Sequence, residues 1–116
     1  KPVAGSYDEK NGVLTIIKYD KPADASAYVN SMWEIQKEPY SGDALNSYND
    51  GAPAPGAKPM GPFYELESSS PAAALKPGEK TFHKHMTFHL QGTEAELDPV
   101  SKAVLGIGIA DIKSAF

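Results

Sequence analysis

The sequence has no cysteine, so a disulfide scaffold, a thiolate nucleophile and cysteine-ligated zinc or iron–sulfur sites are excluded. It has no apolar run of 18 residues, which excludes a membrane-spanning helix. Strong core formers are scarce: 22 of 116 residues are Leu, Ile, Val or Phe. That is just under the share at which disorder becomes a concern, but the net charge of −4 is modest. The composition describes one small globular domain with a thin core, which a partner domain or subunit would complete. Fifteen acids against eleven bases, with no basic cluster, exclude nucleic acid as a partner. The opening Lys1-Pro2-Val3-Ala4-Gly5-Ser6-Tyr7 carries no apolar signal-peptide segment, and that leaves the compartment open.

Five stretches read as strands. Val13 to Tyr19 follows an Asn11-Gly12 turn and is rich in β-branched residues. Tyr28 to Gln36 alternates, with Glu34 and Gln36 on one face and Trp33 and Ile35 on the other. Phe63 to Ser68 alternates again, and Ala72 to Leu75 reads as a short fourth strand before a Lys76-Pro77-Gly78-Glu79 turn. The longest strand is expected at Lys80 to Gln91. It sets Phe82, Met86, Phe88 and Leu90 against His83, His85 and His89. Nine of the twenty Gly and Pro residues lie between positions 39 and 62, which predicts a long loop without regular structure. Asp98-Pro99 reads as an N-cap and first helical residue, opening a helix to about Leu105. A second helix is expected at 109–116, with Ile109, Ile112 and Phe116 on one side. Strands first and helices last point to an all-β antiparallel sandwich with short C-terminal helices.

All three histidines share one face of the expected strand with two threonines. Three readings stay open there: a polar face whose side chains satisfy one another, a sugar-binding face, or a metal site at His83 and His85. Gly78-x4-His83-x-His85 resembles the first half of a cupin metal motif, but the glutamate expected next is missing, and a metal would need Glu65 or Glu67. Trp33, Tyr40, Tyr48, Phe63 and Tyr64 cluster around the loop with Asn46 and Asp50. Aromatic faces that stack on pyranose rings, beside amides and carboxylates that bond hydroxyls, are the chemistry of sugar binding. A small satellite core is the plain alternative. Glu34, the lone acid on its strand, is a candidate general base, and His85 a candidate general acid.

The run Trp33-Glu34-Ile35-Gln36 through Pro39 to Asp43-Ala44-Leu45-Asn46 resembles a segment of the aldose 1-epimerase (galactose mutarotase) superfamily. There a strand carries Glu-x-Gln, followed by Pro and an Asp-Ala-x-Asn turn. Leu75-Lys76-Pro77-Gly78-Glu79 resembles the turn before the closing strand of that fold. The longer wording from Tyr28 to Pro71 looks like an uncharacterised mutarotase-like family of Bacteroides-type bacteria. This resemblance implies part of a β-supersandwich, the C-terminal portion of a longer, extracytoplasmic protein. It implies a mono- or oligosaccharide partner, no cofactor and no metal, with Glu34 at the place of the general base. Trp33, Gln36, Asn46, Tyr48, Asp50, Glu65, Glu67 and His83 are the expected substrate-binding residues. The acid-supplying histidine of mutarotases lies upstream of any region present here, so catalysis by this chain alone is not expected. The competing expectations are a noncatalytic structural or interaction β domain and a cupin-like metal protein. A thin core also predicts a homodimer through an exposed sheet edge.

Overall fold

The computed structural model describes residues 1–115 and shows an all-β protein with two short helices at its C-terminal end. Its five strands form a three-stranded and a two-stranded antiparallel sheet, and neither closes into a barrel. The chain divides into two compact units. Among the described residues, one joins 1–20 to 84–115, and the other comprises 21–83.

The first unit is built on β2 (Val13–Tyr19), the central strand, which pairs with β1 (Val3–Asp8) and β5 (His85–Gln91). Leu14 and Ile16 project from one face of β2 and pack against Leu97 and Ile109 of the helices, with Tyr7, Leu90, Val100, Val104 and Leu105 around them. Full burial of such side chains contributes roughly 1.5–3 kcal/mol each. β1 was not expected, because Val3-Ala4-Gly5-Ser6 has little apolar content. Its small residues serve a close approach, since a Cβ at Gly5 would lie 2.6 Å from the Thr15 carbonyl oxygen and 2.9 Å from Leu105 Cδ1.

β5 is shorter than the strand expected over Lys80 to Gln91. A strand extends only as far as its partner, and β2 ends at Tyr19, which lies opposite His85. Beyond it Asp20 turns the chain, its amide donating to the Lys84 carbonyl and its carboxylate accepting from the Lys84 amide.

Helix α1 (Glu94–Val104) is capped by Thr93, five residues before the expected cap at Asp98. Thr93 and Glu96 form a capping box: the Thr93 amide donates to Glu96 Oε2 at 2.8 Å, and the Glu96 amide donates to Thr93 Oγ1. This start prevails over Asp98-Pro99, which then sits inside the helix, where Pro99 removes one backbone donor. Asp98 instead caps α2 (Ile109–Lys113), accepting from the Ile109 amide at 2.9 Å. The helix stops at Lys113 with Ser114 as its C-cap, shorter than the stretch expected over 109–116, whose last residue, Phe116, lies outside the described residues.

The second unit contains one hairpin, β3 (Leu45–Asn49) against β4 (Tyr64–Ser68). β3 corrects the expectation that residues 39–62 hold no regular structure. All the prolines and glycines of that stretch fall outside Leu45–Asn49, whose alternation supplies one face with Asn46 and Tyr48. The expected strands at Tyr28–Gln36 and Ala72–Leu75 do not form. Around Tyr28 the pairing is a single parallel bridge to Ser41, and Ala72 makes only one bond, to the Ala27 carbonyl. Residues 28–30 pair with 39–42 through three backbone bonds only, too few to build a strand. Local side-chain bonds shape the segment after Asn30 instead. The Met32 amide donates to Asn30 Oδ1, and Asn30 Nδ2 donates to Gln36 Oε1 at 3.0 Å.

Candidate functional site

The β3–β4 register places Tyr48 opposite Glu65 and Asn46 opposite Glu67, so all four side chains share one face of the hairpin. That face forms the floor of a cavity of about 490 Å³, whose walls come from Ser31, Met32, Trp33, Ser47 and Met60. The volume falls in the range of roughly 300–1,000 Å³ usual for small-molecule sites. Trp33 lies on a bend, and its side chain is 96% exposed.

Each polar group is held by a neighbour. The Ser31 hydroxyl donates to Asn46 Oδ1 at 3.1 Å, tying the Trp33 segment to β3. The Tyr48 hydroxyl donates to Asp50 Oδ1 at 2.9 Å, while Asp50 Oδ2 accepts from the Gly61 amide at 2.8 Å. Asp50 therefore clamps the base of the 51–60 loop and fixes the Tyr48 ring, which also packs against Phe63 with centroids 5.9 Å apart. The bond to Asp50, together with partial burial, raises the Tyr48 phenol above its ordinary range.

Glu65 and Glu67 are successive same-face residues of β4. The neighbouring Glu67 carboxyl and desolvation hold Glu65 above the usual carboxylate range. A raised carboxylate pKa means the folded state binds the proton more tightly. Its stabilising effect is present below the unfolded-state value and is lost as pH rises through the folded one. Glu67→Gln removes the like charge and is expected to bring the Glu65 titration midpoint down toward the ordinary glutamate range, as followed by carboxyl-carbon NMR. An unchanged midpoint would show that the pair is not coupled.

The remaining expected residues lie elsewhere. Glu34 is exposed and borders a separate surface depression with Ile35, Gln36, Lys37 and Glu38. Gln36 is engaged in holding its own segment, accepting from Asn30 and donating to the Met32 carbonyl. His83 belongs to the second unit and hydrogen-bonds with Ser68 Oγ at 2.8 Å. Ser68 lies on the hairpin face opposite Glu65 and Glu67. His85 belongs to the first unit, where it bonds Thr87, and His89 bonds Thr15 at 3.0 Å. These imidazoles and hydroxyls satisfy one another. Among the described residues no group of three or more His, Asp or Glu side chains could hold a metal ion, and no helix is long and apolar enough to cross a membrane. Sequence reading passed over Ser31, Met32, Ser47 and Met60 as lining residues. Met60 sits in a Gly/Pro-rich stretch with no periodicity to reveal its direction, while Ser47 carries no distinctive chemistry.

A family model matches residues 1–116 in full. The chain belongs to DUF6786, a family of unknown function. No curated protein and no solved structure matches it. What this DUF6786 chain presents is an aromatic and thioether wall over a hairpin floor of amide, phenol and paired carboxylates. Such a lining can stack a flat apolar surface and accept hydrogen bonds from a hydroxyl-rich one.

Proposed function

We propose that the chain is a carbohydrate-binding domain that takes a mono- or oligosaccharide in the hairpin cavity. The observation that carries this reading is the convergence of Trp33, Asn46, Tyr48, Glu65 and Glu67, from three separate segments, on one cavity. An indole left almost wholly in water costs hydration that stacking against a pyranose face would relieve. The resemblance to the aldose 1-epimerase superfamily supports the substrate class. On that resemblance the chain is the C-terminal portion of a longer extracytoplasmic protein. Glu34 lies outside the cavity lining, so the function proposed is binding and not epimerisation.

Trp33 is the only tryptophan, so its fluorescence reports on the cavity alone. Saturable blue-shifted emission on addition of saccharides is expected, and a flat response across neutral, amino and acidic sugars would refute the proposal. The second reading, a noncatalytic interaction domain, is favoured by the full exposure of Ile35 close to Trp33. It predicts fluorescence changes with a protein partner and none with sugars.

A homodimer remains part of the proposal. β1 and β5 each pair with one strand, β2, among the described residues, and a second copy adding to either edge strand would extend the sheet. Light scattering is expected to give twice the chain mass at high concentration, and a strict monomer would rule this out.

A further inference from the structure

We infer that the cavity selects by charge, taking an amino sugar with a free ammonium group in preference to a neutral sugar, and excluding uronic acids. This rests on the saccharide reading above and names the class of sugar.

The lining holds two carboxylates and no basic side chain. Neither Glu65 nor Glu67 enters an ion pair among the described residues. All eleven basic residues of the chain are lysine, so the forked guanidinium that best grips a sugar carboxylate is absent from the sequence. A uronate entering the cavity would meet two like charges with nothing opposite to offset them.

An ammonium group meets the reverse situation. Glu65 and Glu67 stand side by side on one strand face and line the same cavity, so a cation seated between them would make charge-assisted bonds to both. Tyr48 stands directly across from Glu65, and Trp33 with Met32 and Met60 forms the rest of the wall. Aromatic faces attract a cation through their quadrupole, which adds to the pull of the carboxylates. The same walls stack the apolar face of the ring, so one cavity recognises both halves of an amino sugar.

The test is titration of the protein with glucosamine, glucose, glucuronate and ethanolamine at near-neutral pH and low salt, by calorimetry or Trp33 emission. Glucosamine is expected to bind about tenfold or more tighter than glucose, a difference of roughly 1.4 kcal/mol, with glucuronate weakest. The preference should shrink as salt is added. Glu67→Gln, and independently Glu65→Gln, should narrow the glucosamine-to-glucose ratio to within about threefold, each variant first checked for an unchanged thermal melt. Equal affinity for all three sugars, or tightest binding of glucuronate, would overturn charge selection and leave the saccharide reading standing. Binding of ethanolamine as tight as that of glucosamine, with no binding of glucose, would overturn the saccharide reading and this inference with it. No binding of any of the four overturns both.

Discussion

Trp33→Ala is expected to weaken saccharide binding by about thirtyfold or more while leaving the thermal melt unchanged. The side chain is 96% exposed and makes none of the bonds that shape its segment, which run through Asn30, Ser31, Met32 and Gln36. Exposed substitutions of this kind usually change stability by no more than about 0.5 kcal/mol. A tryptophan that becomes buried on binding, in contrast, typically contributes about 2 kcal/mol or more to an interface, equivalent to the stated loss. Calorimetric titration of the wild type and the variant, with a parallel melt, checks both halves. Retained affinity would remove Trp33 from the site, and a lowered melt would make it structural.

Gly42→Ala is expected to lose both stability and binding. Gly42 does not need an unusual backbone angle; its constraint is space. A Cβ there would lie 2.2 Å from the Val29 carbonyl oxygen and 2.7 Å from Asn30 Cα, and neither is a flexible side-chain end that could move aside. The strands of chain at 28–30 and 39–42 would have to separate. Three backbone bonds hold them: the Gly42 amide to the Tyr28 carbonyl, the Tyr28 amide to the Tyr40 carbonyl, and the Asn30 amide to the Pro39 carbonyl. Overpacking of this order costs typically 1–3 kcal/mol, and weakened hydrogen bonds add roughly 1 kcal/mol each. A loss of about 3 kcal/mol lowers the melting temperature by about 10 °C or more in a unit this small. Because Asn30 leads directly into Ser31, Met32 and Trp33, the cavity wall moves with it. A melt within 2 °C of wild type would show that the segment is not built as described. Loss of binding with and without loss of stability distinguishes the support from the contact.

The parts of the fold legible in the sequence are those whose signal is local. β2 runs from Val13 to Tyr19 as its β-branched composition and Asn11-Gly12 turn predict, and β5 separates Met86, Phe88 and Leu90 from the histidines as the alternation predicts. β1 was hidden because Gly5, Ala4 and Ser6 pair through the backbone and carry little side-chain signal. The alternation over Tyr28–Gln36 finds a backbone partner only at 28–30, and beyond it the side chains of Asn30 and Gln36 curl the segment. That curl is what sends Trp33 to the cavity and Glu34 away from it, a separation no period-2 pattern could reveal. Asn46, Tyr48, Glu65 and Glu67 were recognisable by residue type, yet their convergence depended on the β3–β4 register, which only pairing establishes. The histidines drew attention by clustering. Their hydroxyl partners, Ser68, Thr87 and Thr15, account for them.

The central claim is that the hairpin cavity is where a saccharide sits, and amide NMR during titration with glucosamine tests it most directly. Perturbations are expected at the backbone amides of Ser31, Asn46, Tyr48, Glu65 and Glu67 and at the Trp33 indole N–H, with β2 and the two helices unmoved. Shifts confined to the β5 histidine face, or to the Glu34 depression, would place any binding elsewhere and contradict the account.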